Sequence, residues 1–383
     1  MILFFAGRDH HREKLAPLFE RMKAQGLSPV WLISKNAVNI DSSLETALKS
    51  DDDFVHAYTL LGEGDDVKID KIVKAISAKA RMVPGVSPFW FYYSIRELAQ
   101  VHVAFGNLLD RNKVDAVVAL HSNNFWAKNL LYQAQKRAIK TYTFQEGLLR
   151  DRDQETLGKQ KAAADYVDTI FAWNKGSKVQ YINAGVAKST IDVSTPMHLD
   201  KYFSISQEDA LRNVGSVPWL VFAPTLAEEY VGNISVDAQN LATTAAVYGL
   251  NYFFQPHPFE KGMYGDLETS LPIDKLLLAR SGNAIFVGQH STIMHEALVL
   301  GAMVIEYQAD GLPILQPLSQ LGVAISADKT NFLDVIGEIL SFGETAEKTL
   351  KKARQYIKNE YGDALGNGTA YVANAIKSGI KND

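Results

Sequence analysis

The sequence predicts an α/β protein made of two doubly wound parallel sheets that face each other across a central cleft. Three observations predict it. Short apolar runs alternate with segments of helical period along the whole chain, the pattern of parallel strands covered by helices. The chain has 383 residues, more than one hydrophobic core usually serves. Between about Thr190 and Pro218 the periodicity lapses, and a second alternating series then begins. Two domains are therefore expected, at 1–200 and 201–383.

In the first half the expected strands are Ile2–Ala6, Pro29–Ser34, Phe54–Tyr58, Ala116–His121, Lys140–Phe144 and Thr169–Ala172. Helical spacing of apolar residues marks His11–Gln25 and Ile95–Arg111. Between them Met82-Val83-Pro84-Gly85 is a break, followed by the aromatic cluster Phe89-Trp90-Phe91-Tyr92-Tyr93. Those rings read as core or interdomain packing in preference to a sugar-stacking platform. The second series gives strands at Trp219–Ala223, Tyr252–Gln255, Ala284–Val287, Met303–Tyr307 and Val323–Ser326, with helices at Ser235–Tyr248 and Thr292–Leu300. Ligands of such sheets sit beyond the carboxyl ends of the strands, so the residues that follow each strand are where chemistry is sought.

Composition narrows the function. A net charge of −4 argues against a general nucleic-acid binder. The absence of cysteine excludes a disulfide framework, thiolate zinc sites and a cysteine nucleophile. No apolar run approaches the roughly 20 residues that cross a bilayer, and the opening Met1–Ala6 reads as a first strand. The expected compartment is the cytoplasm. The basic segment Lys348–Lys358 reads as a solvated helix face, with peripheral contact to the inner face of the cytoplasmic membrane as the alternative.

Three strand ends carry polar chemistry. Thr143-Phe144 is followed by Gln145-Glu146-Gly147, with Arg150 beyond. Glu146 suits a general base or a nucleophile, Gly147 permits close approach of a ligand, and Arg150 suits bidentate grip of a carboxylate. A surface Glu–Arg pair is the plainer alternative. Phe253-Phe254 is followed by Gln255-Pro256-His257-Pro258, where two prolines stiffen the turn and aim the imidazole at a phosphate or a sugar hydroxyl. Ala284–Val287 leads through Gln289 to His290-Ser291-Thr292, the start of a helix. A helix N-terminus offers unpaired N–H groups and positive dipole to an anion, typically a phosphate. Ser291 and Thr292 also serve as ordinary N-caps. Glu296, one turn on, accepts from ribose hydroxyls or is simply a well-placed helix residue. Glu228 and Glu229 follow the strand at 219–223 and are candidates for a second catalytic carboxylate or for loop solvation.

Other chemistries lack their motifs. There is no P-loop, no glycine-rich dinucleotide fingerprint after the first strand and no Gly-x-Ser-x-Gly. Asp151-Arg152-Asp153 and Asp51-Asp52-Asp53 fit a short metal-holding pattern of low specificity, and His10-His11 alone is not a site. No essential metal and no cofactor are expected.

Taken together, Phe144–Arg150 with Glu155-Thr156-Leu157, Gln255–Pro258, and His290-Ser291-Thr292 through Glu296 to Gly301 resemble bacterial capsule-polysaccharide and lipopolysaccharide synthesis proteins. The resemblance is to the retaining β-Kdo transferases, glycosyltransferases with two Rossmann-like domains in the GT-B arrangement. The same three elements are similar to those of bacterial sialyltransferases, which use CMP-activated donors. The matches run from about residue 144 to 307. The resemblance implies a CMP-Kdo or related CMP-sugar donor and a glycan or glycolipid acceptor. It implies that His257, Pro258, His290, Ser291 and Thr292 grip the CMP, that Arg150 meets the sugar carboxylate and that Glu146 is the essential carboxylate. The family carries a nucleophilic aspartate in the loop after the first strand of the second domain. The comparable loop here, Pro224–Tyr230, has none, and Glu229 is the candidate in its place. A UDP-sugar 2-epimerase, a UDP- or GDP-sugar transferase and a non-catalytic nucleotide- or glycan-binding module are the alternatives.

Overall fold

The computed structural model describes residues 1–6, 9–33, 54–56, 61–78, 87–120, 125–147, 161, 164–225, 227, 230, 232–257, 260–268, 273–289, 291–308 and 318–381. The first sheet contains β1 (Ile2–Ala6), β2 (Pro29–Ile33), β3 (Phe54–His56), β4 (Ala116–Ala119), β5 (Lys140–Phe144), β6 (Thr169–Ala172) and β7 (Ile191–Val193). Their spatial order is β3-β2-β1-β4-β5-β6-β7, all parallel. The second contains β8 (Trp219–Phe222), β9 (Asn251–Phe254), β10 (Ala284–Gly288), β11 (Met303–Gln308) and β12 (Ile325–Asp328), in the order β12-β11-β10-β8-β9, again all parallel. These are two doubly wound, Rossmann-like orders.

Helices cover both sheets: α1 (Asp9–Ala24), α2 (Asp65–Ser77), α3 (Pro88–Arg111), α4 (Phe125–Gln135), α5 (Lys175–Asn183) and α6 (Gln207–Val214) come first. They are followed by α7 (Ile234–Val247), α8 (Lys275–Ser281), α9 (Thr292–Leu300), α10 (Phe332–Leu340), α11 (Glu344–Tyr361) and α12 (Gly368–Lys381). Successive residues of a parallel strand point to opposite, equally buried faces. Leu3 and Phe5 accordingly join one core of the first domain, while Ile2, Phe4 and Ala6 join the other. In the second domain Val221 and Phe286 lie in one core, and Leu220, Phe222, Ile285 and Val287 in the other.

Each strand expected from the sequence is present to within two residues at each end. The strand β7 was not expected: its three residues fall in the stretch read as a junction and are too few to show a period. The helix expected from Ile95 begins at Pro88, a position proline tolerates because a first-turn N–H has no helical partner. The aromatic cluster therefore forms the opening turns of α3. Phe91 packs against Ile69 and Val73, whereas Tyr92 and Tyr93 are about half exposed. The basic segment Lys348–Lys358 lies in α11, whose face Ala346, Thr349, Ala353 and Tyr361 is buried. No helix among the described residues is long and apolar enough to cross a membrane.

The chain crosses back at its end. Val372, Ala373 and Ile376 of α12 pack into the first domain's core beside Phe4 and Phe144. The Asp200 carboxylate accepts from the N–H groups of Gly368 (3.2 Å) and Thr369 (2.7 Å) and so fixes the start of this helix. The end of α11 docks on the start of α5, where Lys175 Nζ donates to Asn359 O (2.7 Å) and Gly176 N to Glu360 Oε2 (2.6 Å). Tyr361 is the buried centre of this joint, with its hydroxyl 3.2 Å from Asn174 Nδ2 and 3.3 Å from His295 Nδ1.

Burial lowers the His295 pKa from 6.5 to about 4, so the folded state holds this ring neutral where the unfolded chain protonates it. The stabilisation is complete above pH 6.5 and is lost as pH falls from 6.5 toward 4, by about 3 kcal/mol in all. His295→Gln keeps an acceptor for Tyr361 and does not titrate. The fall of the urea midpoint between pH 6.5 and 4.5 is expected to be clearly shallower in this variant, and an unchanged slope would contradict the assignment. A second expectation concerns Gly288, where an added Cβ would lie 2.5 Å from the Ala223 carbonyl oxygen. Only a residue without a side chain lets β10 close on β8 there, and Gly288→Ala is expected to cost about 1–3 kcal/mol in urea unfolding.

Candidate active site

Strand order decides where a ligand can sit. In the first sheet the direction of winding reverses between β1 and β4, and in the second between β8 and β10. Crevices open beyond the carboxyl ends of the strands at such points. The described segments that leave these ends or the one beside them are α1 after β1, Gln145–Gly147 after β5 next to β4, the loop from Ala223 after β8, and Gln289 and Ser291-Thr292 after β10.

Gln145–Gly147 is held from several directions. Gln145 is 2% exposed. Its N–H donates to Phe171 O (3.1 Å), its Oε1 accepts from Trp173 N (2.9 Å), and its Nε2 donates to Gly147 O (2.8 Å). From α1, Lys14 Nζ donates to the main-chain oxygen of Glu146 (2.7 Å) and lies 5.7 Å from the centre of the Trp173 ring. His11 Nε2 stands 3.2 Å from Glu146 Oε1; the histidine side chain is almost fully buried, and that of Glu146 is 26% exposed. A small cavity opens at these strand ends, lined among others by Lys14, Gln145, Trp173, Ser194, Thr195 and His198.

Across the joint, the N-terminus of α9 meets this segment. A Cβ added to Gly147 would lie 2.9 Å from Thr292 Oγ1, so Glu146-Gly147 and Ser291-Thr292 are neighbours although they belong to different sheets. Ser291 is the N-cap residue of α9, but its side chain makes no capping hydrogen bond. The first N–H groups of a helix find no acceptor within it. One turn deeper, Glu296 accepts from His198 Nε2 at 2.7 Å, and His198 leans on the Trp173 ring at 5.9 Å. Burial, the largest influence on Glu296, would raise its pKa. The His198 hydrogen bond and the charges of His198, Lys14 and Lys275 outweigh burial and hold the carboxyl below its usual range. Lys275 is shifted down by burial, with Glu296 and Asp274 opposing the shift. Glu296 is thus engaged in the domain joint by His198.

His257 lies at the end of β9, with β8 between it and β10. Two strand spacings put the end of β9 about 10 Å along the same edge from the end of β10. The His257 turn is tied to the loop after β8 through Glu260. The N–H of Glu260 donates to His257 O (2.8 Å), its Oε1 accepts from Ala227 N (2.6 Å) and its Oε2 from Tyr264 OH (2.9 Å). Arg150, Glu228, Glu229, Pro258 and His290 lie outside the described residues, as do Asp51–Asp53 and Asp151–Asp153. Among the described residues no three His, Asp or Glu side chains converge as a metal site would require.

Sequence reasoning set His11 aside with His10 as no metal site, quoted Gln145 without a role, and passed over Lys14, His198 and Glu260. The one available signal was the placement of His11 and Lys14 three residues apart, directly after a first strand that proves central. The others depend on contacts between distant segments.

If Gly147 is small because Thr292 abuts it, the two positions are coupled. Gly147→Ala is expected to destabilise the protein by about 1–2 kcal/mol, and by at least about 0.5 kcal/mol less in a Thr292→Ala background. Strictly additive unfolding energies would contradict the contact.

No family model and no curated protein matches this sequence. Solved structures do share its architecture over nearly the whole chain. UDP-GlcNAc 2-epimerase from Neisseria meningitidis, bound to UDP-GlcNAc, superposes with a TM-score of 0.61 at 14% identity, covering 98% of this chain and 99% of that one. The S. aureus MnaA–UDP structure gives 0.60 at 14%, covering 99% and 96%. MurG from Acinetobacter baumannii gives 0.55 at 14%, covering 98% and 99%. Identities this low speak for the fold: the chain has two Rossmann-like domains facing a cleft, the GT-B arrangement.

Proposed function

We propose that the protein is a glycosyltransferase that takes its sugar from a nucleotide-activated donor, with Glu146 as the active-site carboxylate. The observation that carries this reading is the meeting of Glu146-Gly147 with the N-terminus of α9 across the domain joint. The segment that carries the carboxylate then adjoins a helix start suited to a phosphate, the juxtaposition that transfer requires. The carboxylate either takes the proton of the acceptor hydroxyl as the hydroxyl oxygen bonds to the anomeric carbon, or bonds to that carbon itself and is displaced by the acceptor in a second step. The bond to the nucleotide phosphate breaks, and the charge left on that phosphate is stabilised by the α9 N–H groups and dipole. His257, beyond the strand end about 10 Å along the same edge, is placed to meet the far part of the nucleotide.

For the donor we propose a CMP-linked ulosonic acid, Kdo first, and for the acceptor a bacterial surface glycan or glycolipid. This rests on the resemblance of the segments around Glu146, His257 and Ser291-Thr292 to the β-Kdo transferases. A second reading has its own support: structures that share the fold include UDP-GlcNAc 2-epimerases. An epimerase would convert its nucleotide sugar with no acceptor present.

Incubation with CMP-Kdo, CMP-sialic acid, UDP-GlcNAc and a GDP-sugar, with and without glycan acceptor, separates the readings. The expected result is CMP release from CMP-Kdo, lowered about 10²–10⁴-fold in Glu146→Gln while CMP still raises the melting temperature. Turnover of UDP-GlcNAc alone, without acceptor, would replace the transferase by the epimerase. Turnover of none of the four would reject both.

A further inference from the structure

We propose that His11 is the positioning residue for Glu146, so that the working unit at the end of β5 is a histidine–carboxylate pair assembled from two separate strand ends. The proposal rests on the reading of Glu146 as the active-site carboxylate and adds a residue to it.

The geometry is specific. His11 is 3% exposed and sits in the first turn of α1, which leaves β1 at the point where the first sheet reverses its winding. Its Nε2 is 3.2 Å from Glu146 Oε1. One turn along the same helix, Lys14 Nζ binds the main-chain oxygen of Glu146 at 2.7 Å. The opening of α1 therefore holds Glu146 at both ends, backbone and carboxylate. The Gln145 bonds to Trp173 N and Gly147 O fix the backbone on either side.

The physical need for the imidazole follows from exposure. With a quarter of its side chain open to solvent, Glu146 has several rotamers within reach. Lys14 and Gln145 restrain its backbone, and the imidazole is the neighbour that meets its carboxylate from α1. A buried ring whose Nε2 stands 3.2 Å from Oε1 favours the rotamers that keep this contact. That ring is itself fixed by packing, so the selection costs little further entropy. His11 does not reach substrate in this scheme and transfers no proton. Its contribution is that the carboxylate is in place before substrate arrives.

The test compares wild type, Glu146→Gln, His11→Ala and His11→Gln for turnover of the preferred donor. Glutamine places an amide N–H about where Nε2 stands. Misplacing a reacting group by about 1 Å costs on the order of 10²-fold. His11→Ala is accordingly expected to lower kcat about 10–100-fold with donor KM within about 2-fold. His11→Gln is expected to return to within about 5-fold of wild type, because a polar N–H again stands beside Oε1. Wild-type kcat in His11→Ala beside an inactive Glu146→Gln would overturn the positioning role and leave the carboxylate's role standing. So would a folded His11→Gln as slow as His11→Ala. Full activity of Glu146→Gln would overturn both. A readout that needs no turnover is the long-range 1H–15N spectrum of the histidine rings, with His11 assigned by its loss in His11→Gln. Its nitrogens are expected to shift in Glu146→Gln, and unmoved resonances would overturn the pair itself.

Discussion

Everything distinctive about this molecule depends on how closely its two sheets' strand ends approach at Gly147 and Thr292. A side chain at residue 147 would collide with the threonine hydroxyl, so the meeting of the two domains is written into a single missing Cβ. Around it lie a held carboxylate on one side and, on the other, a helix start at which Ser291 makes no side-chain cap. Polar partners beneath the contact, His198 with Glu296 and Tyr361 with Asn174 and His295, tie the same two domains together. The cleft and the joint are thus one structure, and what loosens the joint will misalign the cleft.

Buried charge in this joint is compensated pair by pair. Glu296 stays ionised against the pull of burial because His198 and two lysines surround it. His295, next in sequence, is only partly compensated by the Glu296 charge, and burial holds it neutral. Adjacent residues on one helix therefore answer burial in opposite ways, and the difference lies in the charged neighbours gathered around each. Breaking the His198–Glu296 pair from one side would strand a buried charge, a costly outcome in any protein interior.

Much of the fold was legible because parallel strands are buried on both faces and read as unbroken apolar runs: Ile2–Ala6, Ala116–Ala119 and Ala284–Val287 are the plainest cases. Strand β7 was not, since three residues cannot show a period and its identity comes from pairing with β6. The start of α3 was placed late, at Ile95, because the aromatic cluster was read as packing and not as helix, whereas Pro88 is at home in a first helical turn. For the site, polar residues directly after apolar runs singled out Glu146, His257 and Ser291-Thr292. Their partners were hidden. His11 meets Glu146 only because β1 lies beside β4 and β4 beside β5, and His198 meets Glu296 only because the domains close. Sequence spacing carries no trace of either adjacency.

The central claim is that one nucleotide sugar touches both domains at the Gly147–Thr292 contact. Hydrogen–deuterium exchange with and without CMP tests this most directly. The account predicts that bound nucleotide slows exchange together at residues 143–147 of the first domain and 289–294 of the second. Protection confined to one domain, or located away from both strand ends, would contradict it.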